Sequence, residues 1–335
     1  MTDMDAVAQI VRAVLYEGYV LWPYRRSAPK NQQRWTFGGV FPRGWSEARG
    51  GDDAWWMQTE CLLEGNESTV VDVAVRFLHV VRRQAAVEGL GGLEPVDEVE
   101  AAGQHHLTWD ESVEREVVLA HLRPDSPGPY VESIDVPAGE ATEWLSTAPG
   151  EPRAALMRSW CGLRGAVGVT FAAAAPGLFR LRVRIINTTP WEGGDRDRAL
   201  RHAFASTHTV LRARGGGFVS LTDPPARLAD EAARCENRGA WPVLVGEEGS
   251  HDTVLSSFMI LPDHPQVAPE SPGDLFDGGE IDQLLILNVL SLSDEEKREV
   301  RATDPRAREI LDRCESLSPE QLMRLHGVAR ELRPA

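Results

Sequence analysis

The segment from Trp22 to Trp35, called the basic–aromatic segment below, places aromatic rings beside basic side chains. In a chain whose formal net charge is −16, residues 18–46 contain no acidic residue. The basic residues of this stretch are Arg25, Arg26, Lys30, Arg34 and Arg43. Arginines next to aromatic rings suit a planar or anionic ligand, or an acidic surface on a protein partner. Two interpretations stay open: a binding segment anchored by Trp22 and Trp35, or a solvated loop whose arginines pair with the protein's own carboxylates.

A second segment, Ala268 to Asp282, has the opposite charge. Its carboxylates lie among glycines that let the backbone turn, and they are Glu270, Asp274, Asp277, Glu280 and Asp282. Oxygen ligands of this kind suit Ca²⁺ or Mg²⁺, although the spacing is not that of an EF-hand. Three interpretations stay open: a metal site, a plain linker, or a docking loop in which Asp274 and Asp277 flank the apolar anchors Leu275 and Phe276. Whether the chain holds a metal is left undecided.

Motifs of common catalytic sites are missing from the sequence. It contains no phosphate-binding loop, no G-x-S-x-G and no H-E-x-x-H, and the three glycines at 215–217 lack the spacing of a dinucleotide-binding turn. His105 and His106 are adjacent, so their side chains diverge on a strand or a helix. His202 and His208 have no nucleophile beside them in the sequence. The four cysteines lie far apart and are expected to be free thiols. These features favour a non-catalytic protein without a cofactor.

Composition excludes several classes of partner and location. Hydrophobic residues make up 42% of the 335 residues, which is enough for a sizeable core. The negative net charge disfavours nucleic acid and anionic membrane surfaces as partners. The longest apolar stretches, such as Val167 to Ala175, are too short to span a bilayer. The first residues also lack the basic start and apolar run of a signal peptide, so a cytoplasmic protein is expected.

Hydrophobic periodicity predicts strands through the middle of the chain. Phe179 to Asn187 alternates apolar residues with arginines, as a strand with one wet face does. The other predicted strands are Tyr19–Tyr24, Val71–Phe77, Val113–Leu122, Val131–Val136, Trp241–Val245 and Thr253–Leu261. Thr207–Arg214 and Phe218–Leu221 flank the three glycines, and this arrangement predicts a hairpin with a glycine turn.

Helices are predicted at both ends and at two places between. Apolar spacing predicts a helix over Asp5–Leu15, and shorter helices over Arg196–Phe204 and Pro224–Cys235, the last capped by Asp223. Near the C-terminus, Ser293 and Glu296 have the spacing of a capping box. Asp304-Pro305 and Ser318-Pro319 are two further helix starts. The last 40 or so residues are therefore expected to form two or three short helices.

The predicted fold class is α+β, with antiparallel-sheet-rich N-terminal and central regions and a short helical C-terminal segment. The predicted divisions are a mixed domain over residues 1–140 that contains the basic–aromatic segment, an antiparallel sheet domain over 150–262, and a helical segment over 280–335. The stretch from Pro262 to Gly279 is rich in Pro, Gly and Asp, which is typical of a linker.

Four segments resemble one known family. Leu15–Ala28, Asn31–Gly39, Trp241–Gly246 and Ala268–Asp282 are similar to a family of uncharacterised bacterial proteins that are typically encoded beside nickel–iron hydrogenases. The resemblance spans nearly the whole chain. It implies a part in hydrogenase assembly, maturation or support, and it brings no established fold or catalytic residues.

Together these features predict a non-catalytic accessory protein that binds a hydrogenase subunit or a maturation factor. The predicted partner-binding residues are Trp22, Arg25, Arg26, Lys30, Arg34, Trp35, Asp274, Leu275, Phe276 and Asp277. Two alternatives stay open. One is an enzyme or metal carrier that acts on a hydrogenase cofactor precursor, and the other is a structural subunit of the mature complex.

Overall fold

A large antiparallel sheet dominates the structure, a computed structural model. It describes residues 3–16, 19, 24–28, 31, 34–35, 37–126, 128–147, 153–265 and 289–318. In these ranges eleven strands form one sheet: β1 Trp56–Gly89, β2 Gly92–Val96, β5 Trp109–Leu122, β6 Tyr130–Val136, β7 Gly139–Leu145, β8 Ala154–Trp160, β9 Leu163–Ala175, β10 Leu178–Asn187, β11 Ala205–Val219, β12 Trp241–Leu244 and β13 Thr253–Ser257. Strands β3 Glu98–Ala101 and β4 Gln104–Leu107 make a separate hairpin. The prediction of a sheet-rich α+β protein is confirmed.

Strand β1 is the centre of the sheet. Its 34 residues pair antiparallel with β10, β11, β5, β8 and β2. Residues 62–64 pair with β10 and β11 at once, and residues 71–78 with β5 and β11, so the partners lie on both sides of β1. Strands from both sides of residues 140–150 therefore share one sheet, and the division into domains stays a prediction.

The two faces of β1 are buried against different elements. Val71, Val73, Val75 and Phe77 are fully buried among side chains of the neighbouring strands, as their alternation predicts. Leu78 and Val80, further along β1, belong to a second cluster with residues from the N-terminal and C-terminal helices. This second cluster brings the basic–aromatic segment next to the sheet.

The glycines at 215–217 lie inside a strand, and the predicted hairpin is wrong. β11 runs without interruption, with Gly216 opposite Gly65 of β1. The register shifts there between Gly65 and Val70, and a Cβ on Gly216 would lie 2.7 Å from the Glu64 carbonyl oxygen. Glycine is required here because two backbones approach closely at an irregularity of the sheet. In the sequence alone, glycines of this kind look the same as the glycines of a turn.

Six helices accompany the sheet in the described part of the chain: α1 Asp3–Tyr16, α2 Arg43–Arg49, α3 Arg196–Leu200, α4 Ala229–Ala232, α5 Asp294–Thr303 and α6 Pro305–Glu315. The predicted N-terminal helix is confirmed. α3 begins after its cap Asp195 and ends earlier than predicted, because Phe204 exchanges backbone hydrogen bonds with Val40 instead. The helix predicted over Pro224–Cys235 starts only after Pro225, as a 3₁₀ turn Ala226–Leu228 that leads into α4, and α4 ends at Ala232. Asp223 is not its cap, because Pro224 is itself followed by a proline and such a residue disfavours helical backbone.

Two of the three helix starts predicted near the C-terminus are confirmed. Ser293 and Glu296 form both hydrogen bonds of a capping box at the start of α5. Asp304 caps α6, whose first residue is Pro305. The predicted start at Ser318-Pro319 and most of the predicted strand Tyr19–Tyr24 lie outside the described residues. So does most of the predicted linker, and the strand predicted over Thr253–Leu261 ends at Ser257.

Two glycines in β9 provide a test of how tightly the sheet is packed. A Cβ on Gly165 would lie 2.2 Å from the Ile186 carbonyl oxygen and 2.8 Å from the Phe204 ring, whereas the nearest atom to a Cβ on Gly168 is 4.0 Å away. We expect Gly165→Ala to lower the free energy of unfolding by about 1–3 kcal/mol, since the backbone must move to relieve the clash. Gly168→Ala is the matched control, with an expected change within about 0.5 kcal/mol. If urea denaturation gave equal changes in unfolding free energy for the two variants, this difference in packing would be refuted.

Candidate functional site

A cleft of about 750 Å³ opens where the basic–aromatic segment meets the sheet. One wall is formed by side chains of that segment, including Arg26, Arg34 and Trp35. The opposite walls come from residues 107–110, which include the start of β5, and from the end of α3. The volume lies within the range of ligand-binding sites.

The floor of the cleft is a stack of three side chains. The Arg34 guanidinium carbon lies 4.3 Å from the ring centroid of Trp35 and 3.7 Å from that of Trp109. The relative exposures of these residues are 7%, 2% and 7%, respectively. Trp109 is the first residue of β5 and pairs with Arg83 of β1, so the sheet fixes one half of the stack. A desolvated cation–π arrangement of this kind contributes about 2 kcal/mol or more.

Arg34 is a buried cation without a carboxylate against it. It donates hydrogen bonds to the main-chain oxygens of Tyr19 (3.4 Å) and Asp110 (2.5 Å). The Asp110 carboxylate pairs with Arg201 at 3.1 Å, and the Asp304 carboxylate accepts from the Tyr19 hydroxyl at 2.6 Å. Burial lowers the pKa of Arg34 to about 10, so it still carries its charge at neutral pH. Among the described residues, no carboxylate forms an ion pair with Arg34.

Two buried donors beside Arg34 have no acceptor. The indole nitrogens of Trp35 and Trp109 make no hydrogen bond within the part of the chain that the structure describes. A buried donor left unsatisfied costs about 1–3 kcal/mol. Trp35 also has a φ of 50°, in the left-handed region that bulky residues rarely adopt. Unsatisfied donors and backbone strain that coincide at one cleft are typical of a binding site.

The rim of the cleft carries charges of both signs. Arg82 is exposed and donates to the Gln84 side chain at 3.1 Å, and Arg26 contacts the Asp97 carbonyl oxygen at 3.2 Å. Asp197, in the first turn of α3, is exposed on the opposite side. The lining side chains hold four arginines and four carboxylates, which sum to zero: Arg26, Arg34, Arg82, Arg201, Glu98, Asp110, Asp197 and Glu299.

Helix α5 holds the basic–aromatic segment in place from behind. Arg25 forms an ion pair with Glu296 at 3.0 Å, and the Ser27 amide donates to Glu299 at 2.8 Å. Glu296 also closes the capping box, and its hydrogen bonds from Ser293, together with Arg25, lower its pKa. Arg25 and Arg26 thus both pair with the protein's own carboxylates, Arg26 with Asp97 at 3.8 Å, whereas Arg34 forms no ion pair with a described residue. Of the three, Arg26 and Arg34 line the cleft.

The structure brings together only part of the predicted site. Arg26, Arg34 and Trp35 lie on the cleft, and Arg25 lies behind it. Trp22, Lys30 and the whole acidic segment, with Asp274, Leu275, Phe276 and Asp277, lie outside the described residues. Sequence reasoning missed Trp109, Asp110, Arg82 and Arg201, which sit far from the segment along the chain. A tryptophan at the first position of an alternating strand is the one local signal that could have indicated Trp109.

The histidines and cysteines lie apart from the cleft lining. His208 is fully buried and donates from Nδ1 to the Ser206 carbonyl oxygen, and burial lowers its pKa to about 4. His79 is buried in the same way, with a pKa of about 4 that results first from burial and then from Arg115. All four thiols are free, as predicted, and burial raises their pKa. Within the described ranges, no group of three or more His, Cys, Asp or Glu side chains could hold a metal ion.

Comparison with known proteins adds no assignment. No family model matches the sequence, and no protein with a curated description matches it. None of the described helices is long and apolar enough to cross a membrane.

The stack at the floor of the cleft predicts that lysine cannot replace Arg34. We expect Arg34→Lys to lower the free energy of unfolding by about 2 kcal/mol or more, because lysine lacks the planar group that fills the space between the two rings. Arg43→Lys is the matched control, since Arg43 stacks on Trp55 at 4.8 Å with a side chain that is 58% exposed. Its expected change in urea denaturation is below about 0.5 kcal/mol. Similar losses in both variants would count against a special role for the buried stack.

Because burial favours the neutral form of His208, we expect the protein to lose stability in weak acid. The folded pKa of His208, about 4, lies below its ordinary value of 6.5, so the unfolded chain binds the proton first as the pH falls. The stabilisation is therefore complete above pH 6.5 and is lost between pH 6.5 and 4. We expect His208→Asn, which keeps a donor for the Ser206 carbonyl, to reduce the fall in unfolding free energy between pH 7 and pH 5 by about 2 kcal/mol. An unchanged slope in His208→Asn would refute the prediction.

Proposed function

We propose that this chain is a non-catalytic accessory protein for nickel–iron hydrogenase assembly or maturation, and that it binds a hydrogenase subunit or a maturation factor through the cleft. One observation carries the proposal. Leu15–Ala28 and Asn31–Gly39, the segments that resemble proteins encoded beside hydrogenases, supply Arg26, Arg34 and Trp35 to the cleft wall. Two of the four segments that carry the resemblance thus form part of the cleft, and Trp35, in one of them, has an unsatisfied donor.

The chemistry of the cleft favours binding over catalysis. Its described lining contains no histidine, cysteine or lysine, the side chains that most readily act near neutral pH as bases or nucleophiles. Asp110 is held by Arg201, and Glu299 is held by the Ser27 amide and hydroxyl. These carboxylates therefore serve as structural acceptors in the cleft walls.

The same geometry favours a protein segment as the ligand. The rim carries both paired and unpaired charges, and the floor is aromatic. Interfaces between proteins combine a buried aromatic or arginine anchor with a polar rim in this way. Electrostatic complementarity at such a rim selects the partner and its orientation more than it adds affinity.

Arg82 is the best position for a test of this proposal. Arg25 is unsuitable, because a glutamate there would face Glu296 and weaken the start of α5. Arg82 is exposed, lines the cleft and forms no ion pair with any described residue. A charge reversal there changes the rim while the fold is left intact.

A pull-down from a host that expresses the neighbouring hydrogenase tests the function. We expect the tagged chain to recover an unprocessed hydrogenase subunit or a maturation factor, identified by mass spectrometry. Arg82→Glu should reduce that recovery by about tenfold, which corresponds to roughly 1.4 kcal/mol of binding energy. Arg184→Glu is the control, because Arg184 is exposed on β10, does not line the cleft and forms no ion pair with a described residue.

Three outcomes would contradict the proposal or change it. Recovery of no hydrogenase component would reject the accessory role. If Arg82→Glu and Arg184→Glu reduced the recovery equally, the cleft would be rejected as the binding surface. Recovery of the mature, active enzyme would replace the assembly role with that of a structural subunit.

A further inference from the structure

The floor of the cleft has the properties of an anion subsite. Arg34 is 93% buried by its relative exposure of 7%. The charges of Asp110 and Asp304 act on it through space, but no described carboxylate forms an ion pair with it. Trp35 and Trp109, the two rings that enclose it, each have a buried N–H without an acceptor among the described residues. A buried cation enclosed by two rings, each of which has a free donor, lacks a negatively charged oxygen acceptor.

The charges around this point restrict which anion fits. The lining side chains sum to zero, and the Asp110 carboxylate already lies at 3.1 Å from Arg201. A phosphate with a charge near −2 would add repulsion from the neighbouring carboxylates Asp110 and Glu299 without a second free cation on the floor. A carboxylate carries a single negative charge and two acceptor oxygens, which match one guanidinium and two N–H donors.

The charges at the rim restrict which residues of the ligand can lie next to that carboxylate. Glu98 and Asp197 are exposed carboxylates on the cleft wall, and no described ion pair neutralises either of them. They suit positive charges on the ligand, next to the group that reaches the floor. A mixed sequence with an acidic residue between basic ones has this pattern, and a uniformly acidic segment does not.

We propose that Arg34, Trp35 and Trp109 form a carboxylate subsite, which takes an acidic side chain of a partner polypeptide flanked by basic residues. This inference rests on the proposed function, because it assumes that the ligand is a protein segment. Both indole nitrogens are covered by protein atoms in the structure, so each ring must turn slightly as the carboxylate enters. The carboxylate then accepts hydrogen bonds from two donors that otherwise have no acceptor, and this gain offsets the cost of turning the rings.

Indole N–H signals report directly on the subsite. The chain has ten tryptophans, and a ¹⁵N-labelled full chain gives one side-chain N–H signal for each. Trp35→Phe and Trp109→Phe assign the two relevant signals. The probe is an N-acetylated, C-amidated Gly-Arg-Glu-Arg-Gly peptide, and its control has glutamine in place of glutamate.

The expected result is a saturable downfield shift of the Trp35 and Trp109 signals with the glutamate peptide. The glutamine peptide should bind about tenfold or more weakly, since a hydrogen bond to a charged group is worth roughly 1.5–3 kcal/mol. Trp109→Phe, which keeps a ring against Arg34 but lacks the donor, should weaken binding of the glutamate peptide several-fold. Trp241→Phe is the matched control, because Trp241 is 44% exposed and does not line the cleft.

Three results would overturn the assignment of a carboxylate subsite. Unmoved Trp35 and Trp109 signals, or equal binding of the two peptides, would reject the carboxylate subsite even if the pull-down recovers a hydrogenase component. A selective response to the glutamate peptide would support the subsite even if the pull-down recovers none, and the partner class alone would then be rejected. Unchanged affinity in Trp109→Phe would also reject the assignment, because that variant removes a donor on which it depends.

Discussion

Backbone pairing along β1 is the constraint on which the other strands depend. Five strands hydrogen-bond to it, on both sides, over its 34 residues. A shift in register of one residue would move Val71, Val73, Val75 and Phe77 from the apolar interior to the opposite face. Any such shift would also displace the strands that pair with β1, so the register of the sheet is specified as a unit. Glycines are needed where this long strand bends and its neighbours come close, as at Gly65 and Gly216.

The cleft depends on the same strand through Arg83. This residue is 5% exposed, pairs with Trp109 across the sheet, and forms an ion pair with Glu111 at 2.8 Å. It also donates to the Thr303 carbonyl oxygen at 2.8 Å, so it joins β1 to the end of α5. The next residue, Asp304, accepts from the Tyr19 hydroxyl, and Tyr19 accepts from Arg34 through its main-chain oxygen. The floor of the cleft is therefore held by the sheet and by the C-terminal helices at once.

Charge has a different role in the cleft than over the whole chain. The formal net charge of −16 would attract basic partners over long distances at low salt. The cleft lining is locally neutral, so recognition there depends on which donor meets which acceptor. Such an arrangement favours selectivity: a ligand that leaves Arg34 and the two indole donors unpaired gains little from entering.

The sequence by itself determined the local elements, because periodicity and caps act over a few residues. The strand from Phe179, the capping box of Ser293 and Glu296, and the proline start of α6 follow from neighbouring side chains alone. It also indicated Arg34 and Trp35 as unusual, through the reversal of charge around them. Only the tertiary structure decided that these two residues are buried, that Arg25 faces Glu296, and that Trp109, 74 positions beyond Trp35, completes the stack. The physical reason is that pairing across a sheet joins residues by register rather than by proximity in sequence, and no local pattern encodes which distant strand supplies the second ring.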